Sequence, residues 1–173
     1  MRRSTNATVA GVTFLVYIVA GIASLALAGR ADVTAVLTLV TSFSALVLGV
    51  TLYAITQGQD RELALLAMLC RAVESIPGHG GGSIYFAVGS SLFCWLFLQG
   101  RIIPVALAGL GVVASSLLVV LLVLRTAGLF GPGANWSSSL TWLTWLPMLV
   151  FELMLAAWLI VKGVAEPARR EAA

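Results

Sequence analysis

The sequence predicts an all-α, polytopic transmembrane bundle of about six spans, with both termini cytoplasmic. Three observations lead there. The 173 residues are 60% hydrophobic and 10% charged, with a mean hydropathy of +1.04; a soluble domain of this length needs far more charge to cover itself. The apolar residues gather into runs of about 20, the length that crosses a ~30 Å hydrocarbon core as a helix. The basic residues are also unevenly placed. With the N-terminus inside, Arg2, Arg3, Arg61, Arg101, Lys162, Arg169 and Arg170 share the cytoplasmic face, whereas Arg30 and Arg125 alone fall outside, as the positive-inside rule requires.

After the basic tip at Arg2 and Arg3, the first span covers residues 8–28; its apolar run is longer than that of a cleaved signal peptide. A tight turn at 29–32 leads to a second span over 33–56. Asp60, at the end of a polar connection, is placed to cap the third span, 61–76, because its carboxylate can accept from the free amides of a first helical turn. Pro77 and the glycines around His79 then form a loop, followed by a fourth span over 83–98. Pro104 suits the first turn of the fifth, 102–124. A loop rich in Gly, Ser and Asn precedes the sixth, 140–161, and residues 162–173 form a charged tail. The whole chain, 1–173, reads as a single integral membrane domain. Trp136, Trp142 and Trp145 fall at the outer interface, where indole rings anchor.

Three charges lie within the spans. At ~1.5 Å per helical residue, Arg71 is roughly 16 Å above Asp60, and Glu152 is roughly 15 Å above Lys162. Both therefore reach the midplane of a ~30 Å core from different helices. Glu74 lies one turn beyond Arg71 on the same face. Ser90 and Ser91 of the fourth span come to the same level, with Ser115 and Ser116 slightly further out. Each such charge costs about 2.5–3.5 kcal/mol at a span's centre, so the three together cost on the order of 8–10 kcal/mol unless they pair inside the bundle. One arginine against two glutamates leaves a negative charge, which calls for a retained proton, a cation, a ligand, or Lys162. The bland alternative is a buried clamp between the third and sixth helices. Pro147, five residues before Glu152, either kinks the sixth helix or merely starts it.

Other chemistries fall away. His79-Gly80-Gly81-Gly82 resembles an esterase oxyanion loop, but no Gly-x-Ser-x-Gly elbow or second histidine accompanies it. One histidine, with Cys70 and Cys94 on separate apolar segments, matches no zinc or haem pattern. The two cysteines read as small buried hydrophobes rather than a disulfide. No basic run interleaved with aromatics points to nucleic acid. No cofactor is expected.

The stretches LALLAMLCRAVES (Leu63–Ser75), IYFAVGSSLFCWLFLQGRIIP (Ile84–Pro104) and FELMLAAWLIVKG (Phe151–Gly163) resemble a family of bacterial multi-span membrane proteins described only as a domain of unknown function. Its most specific parts here are Arg71-x-x-Glu74 and Glu152 followed by Trp158, Lys162 and Gly163. The resemblance implies a multi-span bundle of the bacterial cytoplasmic (inner) membrane and carries no activity. From the charged layer, the expected function is binding of a small apolar or amphipathic molecule, such as a lipid, isoprenoid or quinone-like compound, by Arg71, Glu74, Ser90, Ser91 and Glu152. One alternative is a membrane-embedded acid–base enzyme, an isomerase or terpene-type cyclase, with Glu74 or Glu152 as the catalytic acid. Another is a structural or partner subunit of a membrane complex.

Overall fold

Six helices, α1 (Arg3–Ala26), α2 (Ala31–Thr56), α3 (Arg61–Glu74), α4 (Gly82–Gln99), α5 (Val105–Thr126) and α6 (Ser139–Val161), make up a computed structural model that describes residues 3–78, 81–129 and 139–165. No strand occurs among the described residues. Arg2, His79, Asn135, Trp136, Arg169 and Arg170, and the side chain of Trp142, lie outside them.

Sequence chemistry sets the helix ends. Asp60 is extended at φ −150° and accepts from the amides of Glu62 at 3.1 Å and Leu63 at 3.0 Å, capping α3 as its position suggests. Two residues past Glu74 comes Ile76, then Pro77, which has no amide to carry the helix on. The turn after α4 takes Arg101 through φ 47°, with the Ile102 amide returning to the Phe97 carbonyl at 3.1 Å. Ile102 and Ile103 are buried in that turn, so α5 starts at Val105, with Pro104 just before it rather than inside its first turn. The Trp158…Lys162-Gly163 pattern is a helix stop. The amides of Lys162 and Gly163 both return to the Trp158 carbonyl, at 2.8 and 3.1 Å, and Gly163 takes φ 72°, which glycine adopts without strain.

Each helix packs on its neighbours in sequence, and α6 returns to α1, closing a ring of alternating up and down helices. The middle of such a ring is wide and needs large side chains. Phe14, Phe93, Phe97 and Phe151 supply them, and so does Arg71, the largest fully buried side chain. α3 comes in close because α4 offers Gly89 there; a Cβ on Gly89 would lie 3.0 Å from the Cys70 Cβ and 3.2 Å from the Ala67 carbonyl oxygen. Cys70 and Cys94 are buried free thiols.

Outside, the ring is apolar: Val19 is 66% exposed, Phe43 65% and Val113 67%. Such a surface is stable against acyl chains, not water. Among the described residues, α1, α2, α4 and α5 are long and apolar enough to cross a membrane, and Trp145–Val161 gives α6 a shorter apolar stretch. The molecule is a helical membrane bundle. α3, with 14 residues, extends only ~21 Å and stops short of the face that α2 reaches. A notch is left above it at the Pro77 end of the bundle.

Candidate functional site

Four helices direct polar side chains to the ring's centre. Arg71 Nη1 donates to Glu74 Oε2 at 3.0 Å, one turn along α3. Its Nη2 donates to Ser90 Oγ on α4 at 3.1 Å and lies 3.9 Å from Glu152 Oε1 on α6. The Tyr17 hydroxyl of α1 donates to Glu74 Oε1 at 2.6 Å, so each Glu74 oxygen has a donor. Flat against this layer, the Phe86 ring sits 4.7 Å from the Arg71 guanidinium carbon, the geometry in which a ring face attracts a cation. Phe86 in turn stacks with Tyr17 at 6.2 Å and 3° between planes, and meets Trp145 at 5.5 Å.

The expected site residues separate into those gathered here and those that are not. Arg71, Glu74, Ser90 and Glu152 meet. Ser91 is turned about 100° from Ser90 around α4 and donates to the Ala87 carbonyl of its own helix at 2.9 Å. Ser115 likewise bonds its own helix, at Gly111, and Ser116 faces outward. Lys162 is exposed at the opposite end and offers Glu152 no counter-charge. Trp145 does not simply mark an interface: it packs on Phe86 and walls both cavities described below. Tyr17 and Phe86 join the gathered set, neither carrying a charge that would mark it in the sequence. Tyr17 had a signal: it is 14 residues past Arg3, as Glu74 is 14 past Asp60, so both rise ~21 Å from the same end.

Two cavities converge on this layer. One is a groove of about 460 Å³ between α1 and α6, walled by Ile18, Gly21, Ile22 and Leu25 on one side and Met148 and Leu149 on the other, with Glu152 at its foot. The helices splay to form it. Near the Asp60 end they touch so closely that a Cβ on Gly11 would lie 2.9 Å from the Ala156 carbonyl oxygen, whereas at Gly21 nothing lies within 4 Å. Pro147 stands inside α6 along this stretch and removes a backbone hydrogen bond there, which settles the choice left by the sequence in favour of an interior proline. The other cavity, about 270 Å³, fills the notch above α3. Thr38, Thr41 and Ser42 of α2, Glu74, the 76–78 turn and the start of α4 line it. The two share Tyr17, Thr41, Phe86 and Trp145.

Glu152 is the unbalanced member. It is 4% exposed, and its Oε1 has no hydrogen-bond partner among the described residues, nor has Arg71 Nε. A buried charged acceptor without a donor is costly, by about 1–3 kcal/mol or more. No group of three His, Cys, Asp or Glu able to hold a metal occurs among the described residues.

No curated protein and no solved structure matches the chain. One family model does, over residues 77–163, which is just over half of the sequence and takes in Ser90, Phe86 and Glu152 while leaving Tyr17, Arg71 and Glu74 outside. The chain thus belongs to the family described as Domain of unknown function (DUF4386).

Proposed function

We propose that the protein is a multi-pass protein of the bacterial cytoplasmic membrane that binds a small apolar or amphipathic molecule, of the lipid, isoprenoid or quinone-like kind, in the groove between α1 and α6. One observation carries this reading: a largely apolar groove of about 460 Å³ ends on the buried Glu152 carboxylate, which accepts no hydrogen bond among the described residues. Its volume lies in the range of small-molecule sites, and an apolar wall with few polar groups is their usual make-up. Arg71, Glu74 and Ser90 hold the polar end in place. In this reading the Asp60 end, with Arg61, Arg101 and Lys162, is cytoplasmic, and the Pro77 end faces outward.

Gly21→Phe tests it. The position has open space beside it, so the ring fills the groove without displacing backbone. Native mass spectrometry of protein extracted with its membrane lipids should find a small molecule on the wild type and none on the variant, at equal thermal stability. A wild type that carries nothing, or a variant that carries the same molecule, overturns the reading.

A second reading keeps the site and adds chemistry: an isomerase or terpene-type cyclase, with Glu152 or Glu74 as acid and the Phe86 and Trp145 faces steadying a cation. The favouring observation is that the aromatic faces and Glu152 line one groove. Glu152→Gln would then keep binding and lose turnover, while unchanged turnover excludes that role. A purely structural subunit would instead tolerate both Gly21→Phe and Glu152→Gln and co-purify with another protein.

A further inference from the structure

The hydroxyls and the carboxylate of the groove differ in spare hydrogen-bonding capacity. The hydroxyl protons of its polar walls are already committed: Tyr17 donates to Glu74 at 2.6 Å, and Thr41 Oγ1 donates to the Thr38 carbonyl at 2.8 Å. What remains is the Glu152 carboxylate at the foot of the groove: it accepts no hydrogen bond among the described residues, its Oε1 is buried 3.9 Å from Arg71 Nη2, and the residue as a whole is 4% exposed. Arg71, the cation of this layer, lines neither cavity; it lies 1% exposed behind Glu74 and Ser90, with Phe86 across its face. It is a counter-charge to the two glutamates rather than a hand held out to a ligand. A carboxylate or phosphate placed at the groove's foot would meet Glu152 with neither hydroxyl proton free to bridge them, and like charges in so dry a place repel strongly. A head that brings its own proton instead gives the carboxylate the hydrogen-bond donor it lacks.

We propose that the ligand of this groove is an amphiphile whose head carries a hydrogen-bond donor, an amine or a hydroxyl, bound to the Glu152 carboxylate with its tail along Gly21, Ile22 and Leu25. The inference rests on the groove being a binding site, and it adds the class of head. The competing feature is the start of α4, since Gly82 and Ser83 line the adjoining chamber and a helix N-terminus attracts anions. An anionic head is therefore the outcome to be separated.

Three probes of equal tail do so: dodecylamine, 1-dodecanol and dodecyl phosphate, added to the protein in phosphatidylcholine nanodiscs, with the thermal unfolding midpoint and native mass spectrometry as readouts. The amine and the alcohol should bind on the order of tenfold more tightly than the phosphate or better, and Gly21→Phe should abolish the difference. Glu152→Gln keeps an acceptor while removing the charge, so it should weaken the amine and spare the alcohol. That pattern also tells an ionic head from a neutral one. Should the phosphate bind as well as or better than the others in the wild type, the donor head is overturned and the groove stands. Should none of the three bind, the groove itself is overturned.

Discussion

Tyr17 and Glu74 share a 2.6 Å hydrogen bond although they are 57 positions apart and their helices, α1 and α3, are not neighbours in the ring. The bond is a spoke across the bundle's centre. It supplies one of the two donors that keep a carboxylate in an apolar interior, the other being Arg71. Tyr17→Phe keeps the ring on Phe86 and removes only the hydroxyl, leaving Glu74 Oε1 short of a donor. The expected cost is about 1–3 kcal/mol in reversible unfolding from mixed micelles; a change below ~0.5 kcal/mol, the scatter of an unremarkable substitution, would show the bond to be incidental.

Removing Arg71 should be far more damaging than removing the whole charged set. Arg71→Met leaves Glu74 and Glu152 facing a dry interior without a cation, and breaking a buried pair by one partner costs about 3–5 kcal/mol. Adding Glu74→Met and Glu152→Met to it should return most of that loss, because no unpaired charge remains. If the triple variant is no better than Arg71→Met alone, the cost lay in packing around Phe86 and not in charge.

Two glycines give a matched test of how closely α3 and α4 approach. Gly89→Ala would press its methyl on the Cys70 Cβ at 3.0 Å and on backbone at 3.2 Å, whereas Gly109→Ala on α5 meets nothing within 4 Å. The first should destabilise by about 1–3 kcal/mol, as overpacking does. The second should be neutral or stabilising by up to about 1 kcal/mol, since alanine loses less backbone freedom in a helix. Equal behaviour of the two, read by thermal unfolding, would count against the close crossing.

The notch above α3 should admit water from one face alone. Ser42→Cys, on the chamber wall, is expected to react with a charged, membrane-impermeant maleimide added outside intact cells. Val36→Cys, 61% exposed on the apolar exterior of the same helix, should stay unmodified because a thiolate does not form in acyl chains. Labelling of Ser42→Cys only in inverted vesicles would reverse the orientation given by the arginines.

Much of this was legible in the chain, and for a physical reason. Arg71, Glu74 and Glu152 announce themselves because a charge in an apolar run has few places to go, and counting rise per residue puts them at one level. Depth alone cannot resolve azimuth, which is why Ser90 and Ser91 looked equivalent though only Ser90 faces Arg71. Tyr17 and Phe86 stayed hidden because aromatic rings sit without penalty against lipid, core or ligand alike. Nor does any local pattern announce that α6 closes on α1. That contact joins the two ends of the sequence, and the splay that opens the groove depends on Gly11 at one level and Pro147 at another.

The closing of the ring has a consequence for timing. One wall of the groove, α1, leaves the ribosome before the other five helices described, and the other wall, α6, leaves after them. Until α6 inserts, Tyr17 can reach Glu74 but the cavity has only one side, and Arg71 lacks its second carboxylate. The pocket thus exists only once α6 is in place, and a chain cut short before residue 139 would be a five-helix crescent with its central arginine open along one flank.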